Sequence, residues 1–435
     1  MDKVQLSKVG AALARAVNAG AIMRMARSSG FCQRMRSVTP QELAVAVIAA
    51  MATQSTETIA DVQRTFNALN GRTMAYKPFH KSLAKPAFPE FMRLIVGHLL
   101  DELVIEALRP MHGSALSLFD DILLHDGSSF AVHDALAHVF PGRHTTISPA
   151  AVEVHSTMSL FGDQPLVLAI GPDTDAERQY LPKPEALQRQ LIIGDRGYQD
   201  VDYCRAVAAS GGYVLIRHQT QVNPVVLRCW QDGVLMPMHA GHRLKRVMRR
   251  CRGKTVDLDV QWQGVGRANR PDTRLRVVMH WNARRKDYMV LVTNLARDLF
   301  PPGHVYQLYR LRWQVELLFK EWKSYCNLHA FGTTKAPIAQ GLMWAALAAC
   351  IIKRFMAKAT QTVFDVGEIS TRKTVMTVGH HLYQLFAAVL AHRTVRTILL
   401  ELLRHLSTQA LRAHPVRDRK SGRLSLGILA VTAER

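Results

Sequence analysis

Residues Tyr309 to Lys323 read Y-R-L-R-W-Q-V-E-L-L-F-K-E-W-K, and we take this stretch as the organising element of the chain. At about 100° per residue, an α-helix would place Tyr309, Arg312, Glu316 and Lys323 on one polar stripe. Apolar residues fill the adjoining arc, so the stripe borders the buried face. We therefore predict one continuous amphipathic helix. The residues expected on its far side are Arg310, Gln314 and Glu321.

Two interpretations of this stripe are open. The first is a surface helix with an i,i+4 ion pair between Arg312 and Glu316, worth only a few tenths of a kcal/mol. The second is a site that holds a metal and a polyanion, in which the carboxylate binds the cation and the basic groups bind phosphates. The spacing Y-x2-R-x3-E-x6-K also resembles, at all four positions, the motif of the insertion sequence four family of DDE transposases.

The overall charge favours a polyanionic partner. The 435 residues include 56 Lys and Arg against 34 Asp and Glu, a formal charge of +22. Such an excess makes nucleic acid the leading partner class, with a membrane surface as the alternative. The N-terminus lacks the pattern of a signal peptide, and the most apolar run, Gly341 to Ile352, is too short to span a bilayer. We expect a cytoplasmic protein, without a membrane partner, whose length favours two or three domains.

The cysteines form no C-x-x-C pair, so the sequence predicts neither a zinc site nor a disulfide framework. We expect reduced, mostly structural thiols. The six are Cys32, Cys204, Cys229, Cys251, Cys326 and Cys350.

Residues 1–112 are predicted to be helical. Thr39 to Glu42 has the spacing of a capping box, with Pro40 at the first helical position. Basic residues decorate this region, and we predict a DNA-binding domain with one helix in the major groove. A plain helical bundle with a basic surface is the alternative. The basic residues are Arg24, Arg27, Arg34, Arg36, Arg64, Arg72, Lys77, Lys81 and Lys85.

From Leu116 the pattern changes to short β-like runs at 121–128, 152–160, 165–170 and 191–195. Two of these runs end in an aspartate followed closely by glycine, at Asp126 and at Asp195. An apolar strand that delivers a carboxylate at its end is how open sheets build sites. A single such aspartate is more often a turn residue or a helix cap. Two of them together with Glu316 favour a functional site.

Three carboxylates fit phosphoryl transfer with two divalent ions. Asp126 would bridge the ions, and Asp195 and Glu316 would each complete one ligand set. Oxygen-only ligation suits Mg²⁺ or Mn²⁺ and not zinc. His125 and His155 are expected nearby, but they show no metal-binding spacing and are interpreted as ordinary structural residues.

The resemblance to the DDE transposases extends to these residues and covers about 115–330. Asp126-Gly-Ser resembles the first catalytic aspartate of the family, Asp195-Arg-Gly-Tyr198 resembles its D-x-G-[FY] motif, and Glu316 matches its glutamate. The resemblance implies an α/β fold with a ribonuclease-H-like core, Mg²⁺, and cutting and joining of transposon ends. DNA contacts are expected from Tyr309, Arg312, Lys323, Arg217 and Lys320.

An insertion separates the second aspartate from the glutamate. The 120 residues between Asp195 and Glu316 exceed what one strand-to-helix connection requires. Apolar or alternating runs at 213–218, 256–263, 275–281 and 288–293 predict an inserted β-rich subdomain. It also contains the densest basic run, Arg243 to Lys254, with seven basic residues in twelve. DNA backbone is the expected partner of this run, although such runs are usually solvated faces.

Some members of the family form a DNA hairpin and stack a flipped base on a tryptophan in the strand before the Y-R-E-K helix. The comparable strand here, 288–293, has no tryptophan, and Met289 takes the corresponding place. Tyr288 or Trp281 could stack on the base instead. The sequence leaves the hairpin route open.

After Lys323, helices are predicted at 338–357, 375–391 and 395–406, followed by a basic tail from Ala413. The resemblance suggests that this region pairs two subunits, and we expect a homodimer on paired transposon ends, with target DNA as a further partner. The predicted domains are 1–112, 113–205 with 306–360, 206–305 and 361–435. Two alternatives are a metal-dependent nuclease of the same fold and a domesticated, non-catalytic DNA-binding protein.

Overall fold

The structure is a computed structural model, and it describes residues 1–34, 37–53, 56–104, 115–262, 273–325, 332–367, 369–391 and 393–413. These residues form a mixed α/β fold in which one large sheet packs against many helices. The predicted basic tail after Ala413 lies outside the described residues, as do Arg36 and Cys326.

The helices are α1 (Lys3–Ala16), α2 (Ala19–Ser28), α3 (Pro40–Met51), α4 (Ile59–Asn70), α5 (Tyr76–Leu83), α6 (Phe88–Glu102), α7 (Val201–Ala209), α8 (Leu244–Arg250), α9 (Pro302–Arg310), α10 (Trp313–Tyr325), α11 (Ala336–Phe364), α12 (Thr371–Leu390) and α13 (Arg396–Gln409). The strands are β1 (Asp121–Ala131), β2 (Ala151–Ser159), β3 (Gln164–Pro172), β4 (Gln190–Gly194), β5 (Tyr213–Arg217), β6 (Val225–Gln231), β7 (Val234–Leu235), β8 (Val256–Trp262), β9 (Thr273–Asn282) and β10 (Asp287–Thr293).

The strands described here form a single sheet in the order β3-β2-β1-β4-β5-β10-β9-β8-β6-β7. β1, β4 and β5 run parallel to one another, whereas β2 and β3 on one side and β10 onward on the other pair antiparallel. The strands predicted at 213–218, 256–263, 275–281 and 288–293 correspond to β5, β8, β9 and β10, whereas β6 and β7 were missed. Because β10 pairs directly with β5, the inserted strands extend the sheet instead of forming a detached one.

The N-terminal segment is helical, as predicted, and the capping box that begins α3 is confirmed. The Glu42 amide donates to Thr39 Oγ1 at 3.1 Å, and the Thr39 amide donates to the Glu42 carboxylate at 2.7 Å. Helices α1 to α6 share one hydrophobic cluster with α11 to α13 and with one face of the sheet. The hydrophobic core therefore continues across the predicted boundary at residue 112. The division into functional domains stays a prediction.

Helix α11 lies at the centre of this core and is longer than the apolar run suggested. Among the described residues it is the one helix that, by length and composition, could cross a membrane. However, 83% of its most apolar window is buried inside the protein. The apolar composition of α11 is therefore explained by its packing against neighbouring elements in the hydrophobic core.

The continuous helix predicted over 309–323 is wrong. Helix α9 ends at Arg310 and α10 begins at Trp313. Across the break the amides of Leu311 and Arg312 donate to carbonyls three residues back, at 3.0 and 3.1 Å, which tightens the chain into a 3₁₀-like turn. The predicted far side is also partly wrong. Arg310 is exposed, but Gln314 is buried and Glu321 contacts Arg354 at 3.3 Å.

Replacing Gly341 by alanine should destabilise the protein, because α11 packs closely against Phe88 of α6 at this residue. A Cβ atom there would overlap the Phe88 ring. Overpacking of this kind costs about 1–3 kcal/mol. The melting temperature of Gly341→Ala, measured by differential scanning calorimetry, should therefore fall below that of the wild type.

Gly97→Ala is the matched control, since Gly97 is exposed inside α6 and, outside its own helical turns, no heavy atom of the described residues would lie within 4 Å of an added Cβ. Alanine should stabilise that helix by up to about 1 kcal/mol. Equal melting temperatures for the two variants would contradict the packing described here.

Candidate active site

The two predicted aspartates come together because their strands are parallel neighbours. The β1–β4 register runs from Asp121 opposite Gln190 to Leu124 opposite Ile193. Continuing this register by two residues brings Asp126 beside Asp195, which directly follows β4. A parallel pair thus delivers two carboxylates, distant in sequence, to one edge of the apolar sheet.

Glu316 joins them through Arg312. Arg312 Nη1 donates to Asp126 Oδ2 at 2.8 Å, and Nη2 donates to Glu316 Oε1. Glu316 lies in the first turn of α10, where the helix dipole favours a carboxylate. One guanidinium in the break between α9 and α10 therefore connects a strand carboxylate with a helix carboxylate.

Burial sets the electrostatics of this cluster. It raises the pKa of Asp126 to about 6, with the Arg312 charge acting in the opposite direction and the Asp195 and Glu316 carboxylates adding to the rise. Burial also opposes the charge on Arg312, but the surrounding acidic groups, including Tyr309 and Asp126, hold its pKa above the ordinary value. The site is therefore an acidic cluster in which a cationic neighbour, Arg312, favours the charged form of Asp126.

Two further predicted residues contact Asp195. The buried Tyr309 hydroxyl donates to Asp195 Oδ1 at 3.1 Å, and burial raises the pKa of this tyrosine. Arg217 Nη1, at the end of β5, lies 3.8 Å from the same oxygen. The structure thus brings Asp126, Asp195, Glu316, Tyr309, Arg312 and Arg217 into one site.

The two lysines lie farther along α10. Lys323 Nζ donates to the Ser129 carbonyl at 2.5 Å, and burial lowers its pKa. This contact holds the lysine beside the far end of β1. Lys320 is exposed to solvent.

Sequence reasoning missed Glu153, a buried acid on β2. A Cβ atom at position 127 would collide with the Glu153 carboxylate and lie 3.0 Å from His155 Nδ1, so a larger residue beside Asp126 would displace this buried acid. Burial raises the pKa of Glu153 to about 7, with Glu177 contributing. The acid between Val152 and Val154 in a β-like run was the signal available in the sequence. His125 and His155 are buried nearby. Since side chains alternate along a strand, His125 faces away from Asp126.

An open groove of about 460 Å³ adjoins the cluster. It combines arginines with aromatic side chains, and the exposed fraction of Trp313 is 43%. Its lining is Asn282, Arg284, Arg285, Met289, Tyr306, Tyr309, Arg310, Arg312 and Trp313.

The suggested stacking role of Tyr288 or Trp281 does not fit this groove. Met289 packs with the cluster on the α10 side of the sheet, whereas Tyr288 packs with the opposite cluster. Alternation along β10 explains the difference. Trp281 pairs with Tyr288 across the β9–β10 ladder, and the two rings lie 4.9 Å apart. Trp313 is the tryptophan that lines the groove.

Comparisons with known proteins identify relatives of this chain. Residues 117–352 match the family described as the transposase DDE domain. The transposase for insertion sequence element IS231C of Bacillus thuringiensis subsp. berliner is 22% identical over 90% of this chain and 89% of its own length. The transposase for insertion sequence element IS1151 of Clostridium perfringens is 21% identical over 81% of each chain. The putative transposase InsL for insertion sequence element IS186A of Escherichia coli (strain K12) is 34% identical over 18% of this chain and 21% of its own.

The family match covers more than half of the chain. The relative from Bacillus thuringiensis and the relative from Clostridium perfringens are similar to it over most of its length. Their names agree with the resemblance to the insertion sequence four family. The chain therefore belongs to the transposase DDE domain family, and it is a metal-dependent enzyme that cleaves DNA and joins it to a target.

Proposed function

We propose that Asp126, Asp195 and Glu316 are the metal-binding carboxylates of this transposase. The observation that supports this most is the shared contact network, in which Arg312 contacts Asp126 and Glu316 while Tyr309 contacts Asp195. Three acids from two strands and a helix occupy one partly buried site, and their mutual repulsion favours binding of cations.

The donor set fits Mg²⁺, with Mn²⁺ as a substitute. Asp126, Asp195 and Glu316 offer only oxygen ligands, which hard divalent cations prefer. When bound, two such ions would activate the attacking oxygen and stabilise the leaving oxygen of the phosphodiester. Asp126, which shares Arg312 with Glu316 and whose pKa both other acids raise, would hold the ions together with Asp195 and Glu316.

The basic groups around the carboxylates would bind the DNA strand. Arg217 and Arg312 present guanidinium groups suited to phosphate oxygens, and Tyr309 adds a protonated hydroxyl. Lys323 and Lys320 would extend this contact along α10 as point charges. The groove beside them contains further arginines and Trp313, a combination that suits single-stranded DNA through charge and stacking.

A ribonuclease-H-like core is the proposed fold of the catalytic part. The order β3-β2-β1-β4-β5, with β1, β4 and β5 parallel, supports it, and β10 to β6 would be the family's insertion. We keep the domain division 1–112, 113–205 with 306–360, 206–305 and 361–435 as a functional proposal, except that β5 (Tyr213–Arg217), which pairs parallel with β4, is placed with the core strands. In it, N-terminal helices bind transposon ends and two subunits pair on DNA in the cytoplasm.

Glu316→Gln should abolish cleavage while end binding is kept. The amide is nearly isosteric but removes the negative charge proposed to bind metal. We expect cleavage to fall by on the order of 10²–10³-fold, as when one charge-stabilising group is removed from an active site. Labelled duplex with the element's own terminal repeat, together with supercoiled target and Mg²⁺, reports nicking and joined product in one assay.

Glu401→Gln is the matched control, because it makes the same chemical change at an exposed residue of α13, away from the site. It should retain cleavage and joining. Full activity of Glu316→Gln would remove Glu316 from the site. Nicked DNA without joined product in the wild type would favour a nuclease.

Trp313→Ala should weaken binding of a single-stranded DNA end, because the exposed indole lines the groove next to Arg312. Loss of one stacked base costs about 1–3 kcal/mol, roughly 5- to 150-fold in Kd. Fluorescence anisotropy with a 3′-overhang duplex measures it. Trp313→Phe is the control and should keep most of the affinity. Unchanged Kd in Trp313→Ala would show that no base stacks there.

A further inference from the structure

Two thiols and an imidazole meet on the sheet face opposite the α10 side, in the inserted strands. Cys229 lies on β6, His239 ends a short 3₁₀ turn (Pro237–His239), and Cys251 follows α8 directly. All three side chains are buried. Their ligand atoms lie within 4.8 Å of one another. Three separate elements thus contribute one potential ligand each.

The spacing of these atoms fits one tetrahedral metal ion. Cys251 Sγ lies 3.5 Å from His239 Nε2. A sulfur at about 2.3 Å and an imidazole nitrogen at about 2.05 Å from the same zinc ion are themselves separated by about 3.5 Å when the angle is tetrahedral. Thiolate and imidazole are also the donors that zinc prefers over the hard oxygen-binding cations.

Packing in a hydrophobic core does not explain why a histidine occupies position 239. Cys229, Cys251 and their neighbours belong to an aliphatic cluster, and a neutral imidazole gains little from a thiol, which is a weak hydrogen-bonding group. His239 Nδ1 has no hydrogen-bond partner among the described residues. Placing a polar ring here is costly unless a stronger partner binds it. A metal ion on Nε2 would supply that partner.

We propose that Cys229, His239 and Cys251 form a zinc site with a structural role, each residue contributing one ligand atom. Binding converts the two thiols to thiolates and releases their protons to solvent. The site is separate from the carboxylate cluster and uses no residue of it. It was not predicted from the sequence, because x9 and x11 spacers resemble no common zinc motif.

Such a site would restrict the motion of the segment that follows α8. Helix α8 carries exposed basic side chains, and the site would fix its end to β6 and to the 3₁₀ turn. The Tyr288 hydroxyl already donates to the Cys251 and Lys254 carbonyls, which holds the same segment from β10. Zinc would therefore rigidify the basic run 243–254. The exposed basic residues of α8 are Lys245, Arg246, Arg249 and Arg250.

The test uses the full chain without a histidine tag, supplied with ZnCl₂ under reducing conditions and then desalted. Inductively coupled plasma mass spectrometry should find about one zinc ion per chain. Cys251→Ser and His239→Gln should each lower this content at least about tenfold. Cys204→Ala, which changes a buried cysteine on α7 outside the cluster, should leave it unchanged.

Two further measurements distinguish the alternatives. Wild-type protein loaded with Co²⁺ should show a thiolate-to-cobalt charge-transfer band and visible d–d bands of tetrahedral intensity, a result that needs no variant to fold. Asp126→Asn should keep its zinc, because the ion does not occupy the carboxylate cluster. Trypsin should cut the 243–254 segment faster in Cys251→Ser than in Cys204→Ala.

Several outcomes would overturn the site. One is wild-type protein that retains no zinc, or that shows no thiolate-to-cobalt band. Another is zinc that is lost in Asp126→Asn but kept in Cys251→Ser. A Cys229–Cys251 disulfide, found by mass spectrometry after thiol alkylation of protein purified without reductant, together with absent zinc, would show instead that the two thiols form a redox pair.

Discussion

The contact of Arg312 with both Asp126 and Glu316 is the constraint on which the site depends. Carboxylates gathered at a partly buried sheet edge repel one another, and burial together with this repulsion raises the pKa of Asp126 to about 6 even beside Arg312. A guanidinium between them offsets this repulsion through two charge-assisted hydrogen bonds. The break between α9 and α10 gives Arg312 a backbone position outside either helix, from which it contacts β1 and α10 together.

The helix that carries Glu316 is held from behind by a second ionic network. Arg354 of α11 donates to Asp163 in the turn between β2 and β3, at 2.5 Å, and to Glu321 of α10 at 3.3 Å. Arg354 and both partners are largely buried, so loss of any one would leave a buried charge uncompensated. Through this network the central core helix determines where α10 lies against the sheet. Helix α11, which lies in the hydrophobic cluster shared by the predicted domains, is thus linked directly to the helix that carries Glu316.

Regular periodicity explains which parts of the fold were predictable. The strands that end near Asp126 and Asp195 are short apolar runs, and the capping box at Thr39 is a local signal, so both appear in the sequence. The turn at Leu311 and Arg312 was missed because the apolar period continues across it with helical spacing. Gln314 was placed on the wrong side for the same reason. A helical wheel drawn for one continuous helix cannot show that α10 is rotated relative to α9.

Long-range pairing explains what could not be predicted. Nothing in the run 288–293 indicates that β10 pairs with β5, yet this pairing turns Met289 toward α10 and Tyr288 toward the opposite face. The same pairing joins β6 to β10 to the sheet that carries Asp126 and Asp195. Successive residues of β10 thus contact two different regions, the groove beside the carboxylates and the segment after α8. A single strand therefore connects the face that carries the carboxylate cluster with the basic run 243–254, and a shift of one residue in its register would disturb both.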